Sequence, residues 1–166
     1  METTAANKNT PESTPDLPAT MMTAKFGEIA IDADRIITMS SPFLGFPESR
    51  RFVLRPHGPE SPFIWLQSLD NPDLAFVTIN PVLLIPAYRP EIPPMVLDEL
   101  AVEDPSQLEL LVILTIPKGR IEEMTANLLG PVAINPVKRL GKQVPLDPTR
   151  YDPCWPVLVA DEQTNP

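Results

Sequence analysis

The chain has one cysteine, Cys154, and one histidine, His57, in 166 residues. An internal disulfide is excluded, and so is a Cys/His zinc cluster, which needs several such ligands. A lone thiol fits a reducing compartment. The six glycines are scattered, and neither P-loop nor dinucleotide-binding spacing occurs. No serine stands in a Gly-x-Ser-x-Gly elbow. Long apolar runs are missing as well. Val82-Leu83-Leu84-Ile85 is closed by Pro81 and Pro86, far short of the roughly 20 residues that cross a bilayer. The stretch Met1 to Lys8 has no basic region leading into an apolar one, so no signal peptide is expected. Positive charge is scarce: 13 Lys and Arg stand against 22 Asp and Glu, for a net charge of -9. That is the wrong balance for neutralising a phosphate backbone. It suits a cationic partner, or plain solubility. The expectation is a cytoplasmic protein without direct nucleic-acid or membrane contact.

Proline is abundant, at 23 residues, several times a usual share of about 5%. It cannot continue a helix interior or donate within a central strand. Spread along the chain, it limits every element to a few residues. The hydrophobic fraction of 43% still supports a core. The expected fold class is all-β: a small β-barrel-like single domain of short strands with one or two short helical turns.

The pattern predicts a tail over residues 1–23, a domain over 24–152 and a C-terminal tail over 153–166. Ile29 and Ile31 alternate in a first strand, and Arg35 to Met39 make a second. The Pro- and Gly-broken stretch from Ser40 to Glu48 reads as a loop with Phe43, Leu44 and Phe46 turned inward. Arg51–Arg55, Pro62–Ser68 and Leu74–Ile79 are strands, the last two a hairpin across an Asx-rich turn. Residues 80–94 read as extended and unpaired, and residues 97–100 as one helical turn. Asp104-Pro105 reads as a cap and first helical position. Leu108–Ile116 is a strand. Two short strands follow within 121–136 and one near Lys142–Leu146. Trp65, central in an apolar strand, reads as core.

Chemistry-bearing groups are few. His57 lies in a Pro56-His57-Gly58-Pro59 turn and reads as structural or idle. Cys154 has no second His or Cys to activate it. The carboxylate pairs Asp70 with Asp73, Glu103 with Asp104, and Glu122 with Glu123 sit in turns, where solvated or capping charge is expected. Acid–base work would need one member desolvated. Asn127 and Asn135 stand in strand-like runs where asparagine is depleted. Their amides either satisfy loose backbone groups or face a partner. No catalytic residue, cofactor or metal is expected. Two alternatives remain open at this point: a carboxylate-dependent hydrolase or isomerase, and a small ligand-binding β-barrel.

Several motifs carry a resemblance in their order and spacing. Phe26-Gly27-Glu28-Ile29 precedes Ile36-Ile37. Gly45-Phe46, Leu66-Gln67-Ser68-Leu69 and Pro72-Asp73-Leu74-Ala75-Phe76 follow, then Pro81 and Tyr88. The most specific part is Thr125-Ala126-Asn127-Leu128, Pro131-Val132-Ala133-Ile134-Asn135 and Gly141-Lys142-Gln143-Val144. Together they resemble the flagellar assembly factor FliW family from about Lys25 to Tyr151. The chain departs from that pattern at Met39-Ser40, at Asn80, where Asp is usual, and at Asp152-Pro153-Cys154-Trp155-Pro156, where the family is basic.

The resemblance implies a non-enzymatic regulator with a compact β-barrel. Such proteins bind CsrA, a dimeric translational repressor, and also bind flagellin. Accumulated flagellin occupies the regulator and frees CsrA to repress flagellin synthesis; export reverses the switch. A free monomer is expected. The candidate partner-binding residues are Asp70, Asp73, Asn80, Tyr88, Asp98, Glu99, Glu103, Asp104, Asn127 and Asn135.

Overall fold

Short apolar runs between turns set the sheet, and closure of that sheet sets the site. The computed structural model describes residues 19–158. Its strands are β1 (Thr20–Thr23), β2 (Gly27–Ala30), β3 (Ile37–Met39), β4 (Arg51–Pro56), β5 (Phe63–Ser68), β6 (Ala75–Ile79), β7 (Glu109–Thr115), β8 (Thr125–Ala126), β9 (Val132–Asn135), β10 (Leu140–Gln143) and β11 (Trp155–Pro156). One short helix, α1, spans Pro94–Glu99. The order β7-β6-β5-β4-β3-β10-β9 returns to β7, because β9 also pairs with the first half of β7. This ring of seven strands is a closed barrel and leaves no free edge within it. Its one parallel seam joins β3 to β10.

The barrel interior is filled. Ile37, Met39, Phe52, Leu66, Leu111, Val132 and Ile134 point inward, and Phe43 closes one mouth, 5.4 Å edge-on to Phe52. An enclosed ligand chamber, as in a lipocalin-type barrel, is not what this interior offers. At the β3–β10 seam a glycine is closely packed. A Cβ on Gly141 would lie 3.0 Å from Met39 Sδ and 3.2 Å from Ile37 Cγ2.

Three further layers cover the outside of the wall. Ile92, Val96 and Leu100 of the helical segment pack on Ala133 and Val144. The β1–β2 hairpin lays Ile29 on Val53 and Leu69. The C-terminal segment lays Val157, with Trp155, on Met124, Ala126 and Leu128. This explains β9, which is buried at every position: Val132 and Ile134 face the interior while Ala133 faces α1.

Several expectations change here. Strand β1 lies in the stretch read as tail, and it pairs Met21 with Ile29 and Thr20 with Ala30. Its polar composition hides a partner only seven residues or so away in sequence, across a turn closed by Thr23. Residues 1–18 of that tail lie outside the described residues, as do 159–166 of the other. The C-terminal stretch does not fray at Tyr151. Trp155 pairs with Ala126, and the Val157 N–H donates to the Met124 carbonyl at 3.0 Å. Pro153 and Pro156 conceal an apolar anchor that needs the barrel's outer wall to be recognised. In the loop after β3 only Phe43 turns inward. Leu44 is 94% exposed beside Gly45, whose φ is 91°, and Phe46 stays at the surface against Phe76. Trp65 is not in the barrel interior. It sits half-buried on the outer wall, with Phe26 edge-on at 5.6 Å, Lys25 Nζ over its ring, and its Nε1–H donated to His57 Nδ1. A period of two puts Leu66 inside and therefore Trp65 outside.

Candidate functional site

Between β6 and β7 the chain leaves the wall as a strap, residues 80–108, and returns. Proline shapes it. Asn80 caps a single 3-10 turn at Pro81–Leu83, its Oδ1 accepting the Val82 N–H at 3.1 Å. Tyr88 then anchors the strap. It is buried, its hydroxyl donates to the Leu128 carbonyl at 2.8 Å, and Tyr151 meets its ring edge-on. Desolvation, with a smaller contribution from Tyr151, pushes the phenol above its ordinary value. It works as a neutral donor that pins the strap to the β8–β9 turn.

Helix α1 starts without a side-chain cap, on Pro93 and Pro94. Its buried residues face Ala133 and Val144, so Asp98 and Glu99 face solvent. Glu99 Oε1 lies 3.4 Å from Lys142 Nζ on β10. After Ala101, which holds φ 59°, the chain turns into the Asp104-capped turn Pro105–Gln107. Asp104 Oδ1 accepts the Ser106 N–H, and Gln107 Oε1 accepts the N–H groups of Glu103 and Asp104. Asp98, Glu99, Glu103 and Asp104 thus share one strap. Between Pro90 and Pro117 the sequence has no Lys or Arg, and all four carboxylates are exposed.

The other candidates lie elsewhere. Asp70 and Asp73 sit in the β5–β6 turn, at the barrel end opposite the strap, because β6 runs from that turn to Ile79 and the strap begins there. Asp70 is already engaged. Oδ2 accepts the N–H groups of Arg50 and Arg51, and Oδ1 accepts Arg51 Nε and Nη2, the latter at 2.7 Å. Partial desolvation pushes its carboxyl up, but the Arg51 fork and the two backbone donors outweigh it and hold the group below the ordinary carboxylate range. Asp73 is exposed.

Asn135 does not face solvent. It is 3% exposed, its Nδ2 donates to the Leu100 carbonyl at 2.7 Å, and its Oδ1 accepts from Val137 and Lys138. Asn127 Oδ1 accepts the N–H groups of Leu129 and Gly130. Both amides satisfy backbone groups at turns; Asn135 is buried and Asn127 half-buried.

Sequence reasoning passed over Arg89, Arg150 and Lys142. Arg89 and Arg150 line a surface recess with Glu91, Pro93, Pro94 and Tyr151. It shares Arg89, Pro90, Ile92 and Pro105 with a second recess lined by Asn80, Leu108 and Glu109. The one available signal was the density of proline around isolated arginines. Among the described residues, no group of three or more His, Cys, Asp or Glu could hold a metal ion. The carboxyls with a resolved shift, Asp70 and Asp147, are both lowered, the opposite of what a general acid needs.

The FliW protein family matches residues 20–157, from the first strand to the end of the last. The chain belongs to the FliW family. It is 41% identical over 137 residues to the flagellar assembly factor FliW of Caldanaerobacter subterraneus subsp. tengcongensis, covering 82% of this chain and 91% of that one. It is 37% identical over 132 residues to the FliW of Moorella thermoacetica, covering 79% and 83%. A crystal structure of the flagellar assembly factor FliW superposes with a TM-score of 0.76 at 36% identity, covering 83% of this chain and 96% of the other. This FliW-family chain therefore shares the barrel of its relatives. Its β1 and β11, outside the expected domain, fall inside the family's bounds.

Proposed function

We propose that this chain is a cytoplasmic flagellar assembly factor that binds CsrA and flagellin in competition, and so couples flagellin synthesis to flagellum assembly without catalysis. The observation that carries the reading is the acidic strap of a FliW-family barrel. Asp98, Glu99, Glu103 and Asp104 stand exposed on a segment tied down by Tyr88, Asn135 and the apolar face of α1. Fixed carboxylates on a body of charge -9 attract a cationic repressor and speed the encounter. Once docked, the same charges oppose an approaching RNA phosphate chain. Competition between two partners needs only a difference in affinity and no bond chemistry.

The test is co-purification of the full chain with CsrA and with flagellin, each alone and then in competition. Expected are two binary complexes and displacement of CsrA by flagellin. Failure to associate with either protein overturns the reading. Inhibition of RNA binding should weaken as salt rises past physiological strength, where screening acts over about 8 Å. Salt-independent inhibition would assign the effect to sterics or conformation instead.

A further inference from the structure

The β1–β2 hairpin lies on the barrel without joining its sheet. Among the described residues one main-chain hydrogen bond ties it there, from the Ala24 N–H to the Pro72 carbonyl at 3.0 Å. The remaining contact is made by side chains. Ile29 packs on Val53 and Leu69, and Lys25 and Phe26 of the hairpin tip meet Trp65 of β5. A layer held this way can open by itself, at a lower free energy than global unfolding.

The tip rests on one ring. Lys25 Nζ stands 4.7 Å from the centre of a Trp65 ring, Phe26 meets the indole edge-on at 5.6 Å, and Arg55 lies over the Phe26 ring at 4.8 Å. Such contacts depend on how the indole is turned, because its face is negative and its edge positive. The bond that orients it comes from the wall: Trp65 Nε1–H donates to His57 Nδ1 at 3.1 Å. An imidazole accepts only while uncharged. Protonated, both nitrogens carry hydrogen, so turning the ring over does not restore the bond. The surrounding charge adds to the loss. Lys25 and Arg55 already place two cations at this cluster, and a charged His57 is a third. Of the acidic neighbours, Glu28 on the hairpin and Glu60 in the turn after His57 are exposed, and Asp32 is paired with Arg35 at the recess that Arg55 lines. Among the described residues no ion pair reaches His57.

We propose that His57 is a proton-operated latch on the β1–β2 hairpin. Uncharged, it holds the Trp65 ring as a platform for Lys25 and Phe26. Charged, it frees the ring and lets the hairpin lift from β4 and β5, uncovering Val53 and Leu69. The latched form favours the unprotonated imidazole, so release grows as pH falls. His57 is the only histidine of the chain, and imidazoles change charge between about pH 5 and 8, so one residue sets the response. The latch does not depend on which partners the strap binds.

The test is amide hydrogen exchange of the full chain between about pH 8 and 5, read by NMR and corrected for the intrinsic pH dependence of exchange. Expected is a single step in which hairpin opening, at Met21 and Ile29, rises roughly two- to tenfold, as for one lost hydrogen bond. The Trp65 indole N–H signal should shift with the same midpoint, and the amides of Leu66 and Phe76 in the wall should keep their protection. His57 is exposed, so its replacement spares the core. His57→Gln, whose amide oxygen accepts at every pH, should abolish the step and keep the hairpin closed. Trp65→Phe removes the donor and should leave the hairpin equally open at both ends of the range. A flat profile in wild type, hairpin amides unprotected at every pH, equal loosening of Leu66 and Phe76, or a step that survives either variant overturns the proposal.

Discussion

The barrel wall and the strap use proline and charge in opposite ways. In the wall, β5, β6, β7 and β9 carry no proline and almost no charge, and their alternate residues fill the interior and the underside of the outer layers. In the strap, proline recurs from Pro81 to Pro105, and carboxylates crowd the exposed side. The wall gains stability from buried area, which scales with every methylene enclosed. The strap makes few contacts of its own and is held by a handful of anchors: Tyr88, Ile92, Val96, Leu100 and Asn135. Fold and recognition are thus carried by different segments, and they should respond to mutation separately.

The hardest blow to the wall is Phe52→Ala. It empties the centre of the barrel and should cost about 3–5 kcal/mol, read as a lower urea midpoint, with partner binding lost only in proportion to unfolding. If binding falls while the midpoint holds, the division between wall and strap is wrong. Gly141→Ala comes next. The added methyl must displace Met39 or Ile37 at the parallel seam, for about 1–3 kcal/mol.

Asn135→Ala joins the two regions. It leaves the Leu100 carbonyl and two turn N–H groups without a partner and should cost roughly 1–3 kcal/mol. Because that amide also steadies the left-handed Ala101 behind α1, exchange protection should drop in α1 before it drops in β9. Equal loss in both would show that strap and wall open together.

Asp70 titrates the wall alone. Its folded carboxyl is held low, so its bonds contribute above the ordinary carboxylate range near pH 4 and are lost as pH falls through the lower folded value. Wild type should lose stability more steeply than Asp70→Asn across that acid window, with the two curves converging at lower pH. Parallel curves would deny Asp70 this role.

The smallest change in stability belongs to the strap. Asp98→Asn with Glu103→Gln should shift the midpoint by no more than about 0.5 kcal/mol, as expected for exposed sites, yet slow CsrA association several-fold at low salt and less at high salt. An unchanged rate would remove the acidic strap from recognition.

Much of the wall was legible. The strands at Arg51, Phe63, Ala75 and Glu109 follow from short apolar and β-branched runs bounded by turn residues, and the Asp104 cap follows from Asp-Pro spacing. The all-β barrel class follows from short elements between prolines. Less of the site could be read. Asn135 looks the same in sequence whether its amide faces a partner or the Leu100 carbonyl. Asp70 and Asp98 look alike as turn carboxylates until Arg51 closes on one of them. The recess was invisible, because Arg89 and Arg150 are distant in sequence and line it together only in the folded chain.

Composition and periodicity alone determined that this protein would be acidic, built from short strands and free of Cys/His metal chemistry, since those properties belong to residues taken singly or with near neighbours. Tertiary structure decided which polar groups are free. That depends on who sits opposite whom across the closed barrel, and closure brings together residues whose separation along the chain carries no local signal.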